Sequence, residues 1–361
     1  MPSATGSVIN SANDSAINNA INSAMDSADL HSLLVWQRGS LLHARYRTSV
    51  DRPIGSWFSR ETVFGPEVLH DLRSISKSVV GLLVGQAVGR GQIDIDTPVL
   101  DFFPELADLR ERRDGRDGRD GRDGRDGPGG AAHVGITLAH LLDMASGLAW
   151  NEGVASYGTR ANDETRLYDD GQPARYILDR PLVAAPGTMW NYNGGCTALL
   201  AEVLQRRSGR SLLELAGRDL FEPLGITRWT WRSGSHGQPL AYAGLRLTPP
   251  DLLTLGRVMM AGGLWQGRQV VPAAWVAAIL QPRIATGPGP SALQYGHQWW
   301  AGKATSSGKE LPWTAGIGNG GQRLFVLPAL DLAVVMTAGQ YNSTSIGAAQ
   351  MRLFKQIVAG V

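Results

Sequence analysis

Apolar and polar positions change rhythm along this chain. Residues 31–47 alternate or run apolar around Arg38-Gly39, the pattern of a β-hairpin with strands Leu33–Trp36 and Leu41–Tyr46. From Ser74 to Gly91 the apolar positions Ile75, Val79, Val80, Leu83, Val84 and Val88 keep a helical period. Gly81, Gly85 and Gly89 lie four apart within it. Such a line costs helix stability but lets neighbouring backbone come close, so a central helix packed on all sides is expected. Residues 135–285 read as mainly helical, most clearly at Leu138–Met144, Thr197–Leu204, Ser211–Leu215 and Pro250–Met259. The last third switches to consecutive strands at Gln322–Pro328 and Asp331–Thr337, then a closing helix from Ile346 to Val358. Strands at both ends around a helical middle predict an α+β fold: one antiparallel sheet from both chain ends, flanked by helices, with a mainly helical domain inserted. The expected boundaries are 30–78 plus 287–361 for the sheet domain and 79–286 for the helical one.

Two segments fall outside this scheme. Residues 1–29 repeat Asn-Ser-Ala-like units and are short of large side chains, which predicts a tail that does not pack, with at most a weak helix in it. Residues 113–127 are five copies of Arg-Asp-Gly, with cancelling charges and no apolar face. A disordered, solvated loop over 112–131 is expected there.

Composition excludes several function classes. Thirty-four basic against 32 acidic residues leave a formal charge of +2, without the basic excess of a nucleic-acid or membrane-surface protein. The longest nearly apolar run, Val79–Val88, is about half of what a bilayer requires. The opening Met1-Pro-Ser-Ala-Thr-Gly-Ser has no basic n-region and no apolar h-region, so a cytoplasmic location is expected. Cys196, the single cysteine, excludes an internal disulfide and a cysteine zinc cage, and it reads as a small buried side chain. His133 and His140 are seven apart but lack a third ligand, so no metal is expected. Gly316-x-Gly318-x-x-Gly321 matches a dinucleotide fingerprint, yet a strand-like run follows it instead of a helix. No cofactor motif survives. No Gly-x-Ser-x-Gly elbow occurs either.

Ser74-Ile-Ser-Lys77 carries the chemistry. Residues three apart on a helix share a face, which sets a serine hydroxyl beside a lysine amine. A serine hydroxyl is a poor nucleophile until a base takes its proton. Lysine serves as that base only if its pKa falls from about 10.4 toward 7, which burial without a partnering carboxylate favours. Ser306-Ser-Gly-Lys309 matches the same pattern but lies in a Gly/Ser-rich stretch with no helix to align it. Lysine occurs only at positions 77, 303, 309 and 355, and a chain that prefers arginine keeps one inside an apolar helix.

From about Leu33 to Val358 the chain resembles the serine β-lactamase-like hydrolases, in the branch that holds class C β-lactamases, D-Ala-D-Ala carboxypeptidases, family VIII esterases and 6-aminohexanoate-dimer hydrolase. The markers are Ser74-x-x-Lys77, Ile136-Thr-Leu-Ala-His-Leu-Leu-Asp-Met-Ala-Ser-Gly-Leu148, Pro186-Gly-Thr-Met-Trp-Asn-Tyr192, Gly244-Leu-Arg-Leu-Thr-Pro-Pro-Asp251, Tyr295-Gly-His-Gln-Trp-Trp300 and Gly320-Gly-Gln-Arg-Leu-Phe-Val-Leu-Pro328. The resemblance implies a cleft between sheet and helical domains, Ser74 as acylated nucleophile, Lys77 as its helper and Tyr192 as proton shuttle. It places the oxyanion hole at the backbone N–H groups of Ser74 and Asn319, and substrate-binding positions at Gly194, Gly316 and Gly318.

Two departures qualify the resemblance. The tyrosine motif ordinarily continues Tyr-x-Asn but here reads Tyr192-Asn193-Gly194, and Gly316 stands where a lysine or histidine ordinarily opens the third motif. The missing side chains help hold a β-lactam or peptidoglycan stem. Their absence favours a metal-free serine hydrolase of small esters or amides over a β-lactamase or D,D-peptidase proper. A non-catalytic binding protein on a degenerate scaffold is disfavoured, because Ser74, Lys77 and Tyr192 are all present. Glu152, Asp163, Glu164 and Tyr168 lie in the cleft-wall segment 150–180, where substrate contact is one reading, and solvated loop positions are the expected one. Oligomeric state has no signal in the sequence.

Overall fold

The computed structural model describes residues 19, 21–25, 29–111, 135–289, 292–343 and 345–361. The Arg-Asp-Gly tract and His133 lie outside the described residues. Eight strands form the main sheet: β1 (Leu30–Gln37), β2 (Ser40–Tyr46), β3 (Ile284–Ala285), β4 (Gln294–Gly296), β5 (Trp299–Ser306), β6 (Lys309–Gly318), β7 (Gln322–Leu327) and β8 (Leu332–Ala338). Their order is β3-β4-β5-β6-β7-β8-β1-β2, antiparallel throughout. The chain ends meet where Leu34 of β1 faces Val335 of β8. The β1–β2 turn sits on Arg38 (φ 46°) and Gly39 (φ 84°), the paired left-handed residues that a tight hairpin requires. The Ser306–Lys309 decoy is the β5–β6 turn, with Ser307 and Gly308 both at positive φ.

Among the described residues, the helices around the sheet and the site include α1 (Ile75–Gly89), α2 (Leu138–Leu142), α3 (Asp163–Tyr168), α4 (Gly194–Ser208), α5 (Pro249–Met260), α6 (Ala273–Ile279) and α7 (Ser345–Gly360). On one face α7 stacks Phe354 on Phe325 at 3.9 Å between ring centroids, with Trp313 edge-on to Phe325 at 5.4 Å. Ile21 and Met25 are buried in this same apolar layer, and Arg47 Nη1 donates to the Met25 carbonyl over 2.6 Å. That corrects the expectation of an unpacked tail for residues 21–25, where two apolar side chains among polar ones suffice to anchor a helical turn.

On the other face α5 packs against β7 and β8, and a Cβ added at Gly256 would stand 2.8 Å from Leu324 Cδ1. This helix lies in sequence within the stretch assigned to the helical domain, yet it covers the sheet. The central helix α1 is buried from Ile75 to Ala87. A Cβ at Gly81 would meet the His297 carbonyl at 2.6 Å, at Gly85 the Trp275 ring at 2.1 Å and at Gly89 Pro272 at 2.3 Å. The glycine line therefore does what its spacing predicts, and Trp275 Nε1 closes the contact by donating to the Gly81 carbonyl at 3.0 Å.

Candidate active site

Ser74 begins α1. Arg73 before it holds a positive φ of 51°, which turns the chain sharply from Leu72 into the helix. One helical turn on, Lys77 points back along the same face and its Nζ donates to Ser74 Oγ at 3.1 Å. Tyr192 arrives from the loop that precedes α4. That helix is capped by Asn193, whose side chain accepts the Cys196 N–H at 3.2 Å. The Lys77 ammonium is 4.8 Å from the Tyr192 ring centroid, and the Tyr192 hydroxyl interacts with both the Ser74 and Lys77 side chains. Three residues separated by 118 positions in sequence thus form one constellation.

The charge state of Lys77 differs from the sequence expectation. Its side chain is 1% exposed, but two carboxylates face it: Glu152 Oε1 at 3.6 Å and Glu164 Oε2 at 3.4 Å. The Tyr242 carbonyl accepts a further hydrogen bond at 3.0 Å. Burial alone pushes the ammonium's pKa down, yet Tyr192 and the two glutamates outweigh it and hold the pKa above the ordinary lysine value. The surroundings of Lys77 thus favour its charged form over the neutral amine. Burial also raises the Tyr192 pKa, an effect that Lys77 partly offsets. Glu164 is pushed well above the usual carboxylate range by burial and by Glu152 beside it.

Both glutamates were expected to be solvated loop residues, and neither is. Glu152 is 2% exposed and accepts from Trp150 Nε1 at 2.8 Å, the Gly194 N–H at 2.6 Å and the Tyr157 hydroxyl at 3.2 Å. Glu164 sits in the first turn of α3, which Asn162 caps by accepting the Thr165 N–H at 3.1 Å. Gly194 makes room for the pair: a Cβ there would lie 2.9 Å from Glu164 Oε2 and 3.1 Å from Glu152 Oε2. A sequence signal existed in the run Trp150-Asn-Glu152 followed by Asp163-Glu164, but no local period connects it to a lysine 87 positions away. Asp163 is structural, receiving the Asn151 N–H at 2.7 Å and Arg180 Nη2 at 2.6 Å.

Across from Ser74, the end of β6 presents Asn319. A Cβ at Gly318 would stop 2.2 Å from the Leu72 carbonyl, so glycine allows this strand end to close on the turn that carries Ser74. At Gly316 a Cβ would meet Ile75 Cγ2 at 3.2 Å and Ser78 Oγ at 3.4 Å, which fits a small residue in place of the cationic side chain. The Asn319 side chain is tied to Asn342 by reciprocal hydrogen bonds of 2.8 Å. Among the described residues, neither the Ser74 nor the Asn319 N–H donates to a backbone carbonyl in the surrounding turns and loops.

These groups border a cleft of about 570 Å³, a size suited to a small organic ligand. Ser74, Glu164 and Asn319 line it, together with Arg52, Arg73, Tyr157, Tyr168, Asp169 and Tyr242. Gly194, Gly316 and Gly318 are buried behind its wall. Among the described residues no cluster of His, Cys, Asp and Glu could hold a metal ion, and no helix is long and apolar enough to cross a membrane. Cys196 is fully buried, with its thiol pushed up to about 12 by burial.

The family profile described as Beta-lactamase matches residues 22–353. The chain is 29% identical over 289 residues to 6-aminohexanoate-dimer hydrolase of Paenarthrobacter ureafaciens, covering 75% of this chain and 66% of that protein. It is 28% identical over 203 residues to Esterase EstB of Burkholderia gladioli, covering 54% of this chain and 44% of the esterase. The chain thus spans between about half and two thirds of the length of these relatives. A penicillin-binding protein homologue from Caulobacter crescentus has the same fold, with a TM-score of 0.69 at 16% identity over 97% of this chain and 98% of that one. The match over nearly the whole folded part, the shared fold and the Ser74–Lys77–Tyr192 constellation agree: the chain belongs to the beta-lactamase family.

Proposed function

We propose that this protein is a metal-free serine hydrolase that cleaves small carboxylic esters or amides through an acyl-enzyme on Ser74. The observation that carries this reading is the 3.1 Å contact between Lys77 Nζ and Ser74 Oγ, at the edge of a ligand-sized cleft. Its relatives are named as a dimer hydrolase and an esterase, which agrees in reaction class.

With two carboxyl groups and a backbone carbonyl facing its Nζ, Lys77 is held toward its charged form and is a poor acceptor for the serine proton. The charges are better met by a relay through Tyr192. As Ser74 Oγ attacks the acyl carbon, its proton passes to the Tyr192 oxygen while the Tyr192 proton passes to the departing alkoxide or amine. The Lys77 ammonium stabilises the phenolate character that develops between the two transfers. The Ser74 and Asn319 N–H groups receive the carbonyl oxygen as it becomes negative. Water then attacks the ester by the reverse relay, which frees the acid and restores the Ser74 hydroxyl.

The buried glutamates favour the ester or amide reading over β-lactam hydrolysis. Glu152 occupies the room that Gly194 leaves, and its oxygens already accept from Trp150, Tyr157 and the Gly194 N–H, so the side-chain amide with which the family's asparagine holds a β-lactam has no counterpart here. Hydrolysis of p-nitrophenyl acetate and butyrate by the protein and by Ser74→Ala tests the proposal, beside a chromogenic cephalosporin. Ester turnover that disappears in Ser74→Ala, with slow or absent cephalosporin opening, is expected. Fast cephalosporin opening would return the β-lactamase reading, and full activity in Ser74→Ala would exclude this nucleophile.

A further inference from the structure

Arg323 lies on β7 with 9% of its surface exposed, and among the described residues no carboxylate pairs with it. A buried guanidinium without a counter-charge is costly unless its donors are well used. Nη1 donates to the Gly318 carbonyl at 2.9 Å and to the Gln322 carbonyl at 2.8 Å. Burial lowers its pKa to about 10, which leaves it cationic at neutral pH. The β6–β7 turn does not need this charge to close, since Gly318 already faces Gln322 in register and Gly320 and Gly321 supply the positive φ of the turn.

The Gly318 carbonyl and the Asn319 N–H are two ends of one planar peptide group. Resonance across that group means that positive charge at its oxygen makes its N–H more acidic. A charge-assisted hydrogen bond is roughly twice as strong as a neutral one. Gly318 also lies close against the Leu72 carbonyl, which a Cβ there would meet at 2.2 Å. We propose that Arg323 is a positioning residue of the oxyanion hole: its guanidinium fixes the Gly318–Asn319 peptide and strengthens the Asn319 N–H as donor to the reacting carbonyl oxygen. This rests on the reading of Ser74 as nucleophile and of the Ser74 and Asn319 amides as the hole.

The test compares the wild type with Arg323→Met, Arg323→Gln and Arg323→Lys. Each is acylated with p-nitrophenyl trimethylacetate bearing a ¹³C-labelled carbonyl, and the acyl carbonyl stretch is read by difference infrared spectroscopy beside kcat, KM and the melting temperature. Loss of the charge should move the stretch to higher frequency and lower kcat about tenfold or more, less than the ~10²–10³ of losing a donor outright, with KM nearly unchanged. Arg323→Lys should restore part of both. If Arg323→Met does not fold, the comparison of Gln with Lys decides, since both donate and only lysine is charged. Wild-type frequency in folded, uncharged variants overturns the proposal even if kcat falls, because Arg323 then only supports the turn. If the wild type yields no acyl group on Ser74, the reading of the site fails and takes this proposal with it; an acylated Ser74 with an unshifted stretch refutes the Arg323 role alone.

Discussion

The backbone N–H of Gly194 donates to Glu152 Oε2 over 2.6 Å, at the position where the family ordinarily places an asparagine side chain. The glycine is thus not a simple loss. Its missing Cβ admits a carboxyl group from a loop 42 residues earlier, which reaches Lys77 Nζ at 3.6 Å. A side-chain amide is exchanged for a carboxyl that accepts from Gly194, Trp150 and Tyr157 and faces Lys77, which changes what the site can bind.

Restoring the asparagine should therefore fail. In Gly194→Asn the new Cβ would fall 2.9 Å from Glu164 Oε2 and 3.1 Å from Glu152 Oε2. Overpacking of this kind costs about 1–3 kcal/mol, and displacement of the glutamates would disturb Lys77. Ester hydrolysis should drop at least about tenfold, the equivalent of ~1.4 kcal/mol, without a gain in cephalosporin opening. Steady-state kinetics on both substrates check this.

Glu164 makes stability depend on pH in a defined direction. A carboxyl whose folded pKa stands above its unfolded value contributes stability that is complete below the unfolded pKa and lost as pH rises through the folded one. Glu164→Gln removes that loss and leaves the Lys77–Glu152 pair in place. Its stability relative to wild type should therefore rise between pH 5 and pH 8, by about 1.4 kcal/mol for each unit by which the carboxyl is raised. Urea unfolding at the two pH values measures it; a constant difference would mean that Glu164 titrates like an exposed carboxylate.

Much of this architecture is legible in the sequence, for physical reasons that differ by element. The Ser74–Lys77 pairing is local: residues three apart on a helix meet whatever surrounds them. The hairpin at Arg38-Gly39 and the strands Gln322–Leu327 and Leu332–Ala338 follow from alternation and turn chemistry alone. The glycines of α1 announce a close approach, though not that Trp275 and Pro272 make it. What sequence could not show is long-range pairing. Glu152 and Glu164 look like loop residues because a carboxylate in an irregular segment has no period, and only the fold brings them to Lys77. The condition set for a basic lysine, burial without a partnering carboxylate, is not met for that reason.

Ile21 is fully buried although its neighbours read as a polar tail. Ile21→Ala should destabilise the protein by about 2–4 kcal/mol. Val154→Ala, at a position 95% exposed, should stay within about 0.5 kcal/mol. Thermal and denaturant melts of the two variants give the comparison, and equal stability would place Ile21 outside the core.

Cys196 should be inert in the folded protein. Its thiol is buried and held near 12, so thiolate is scarce and reagent access is blocked. Ellman's reagent should leave it unmodified under native conditions and titrate one thiol after unfolding in guanidinium. Fast native labelling would mean that the α4 N-terminus opens readily.

The central claim is a covalent acyl-enzyme on Ser74, and intact-mass analysis tests it most directly. The protein is mixed with p-nitrophenyl trimethylacetate, quenched in acid and mapped by peptide mass spectrometry. The account predicts a single added acyl group on the peptide containing Ser74, absent from Ser74→Ala and slow to form in Tyr192→Phe. An acyl group on another residue, or ester turnover with no covalent adduct at any quench time, would contradict it.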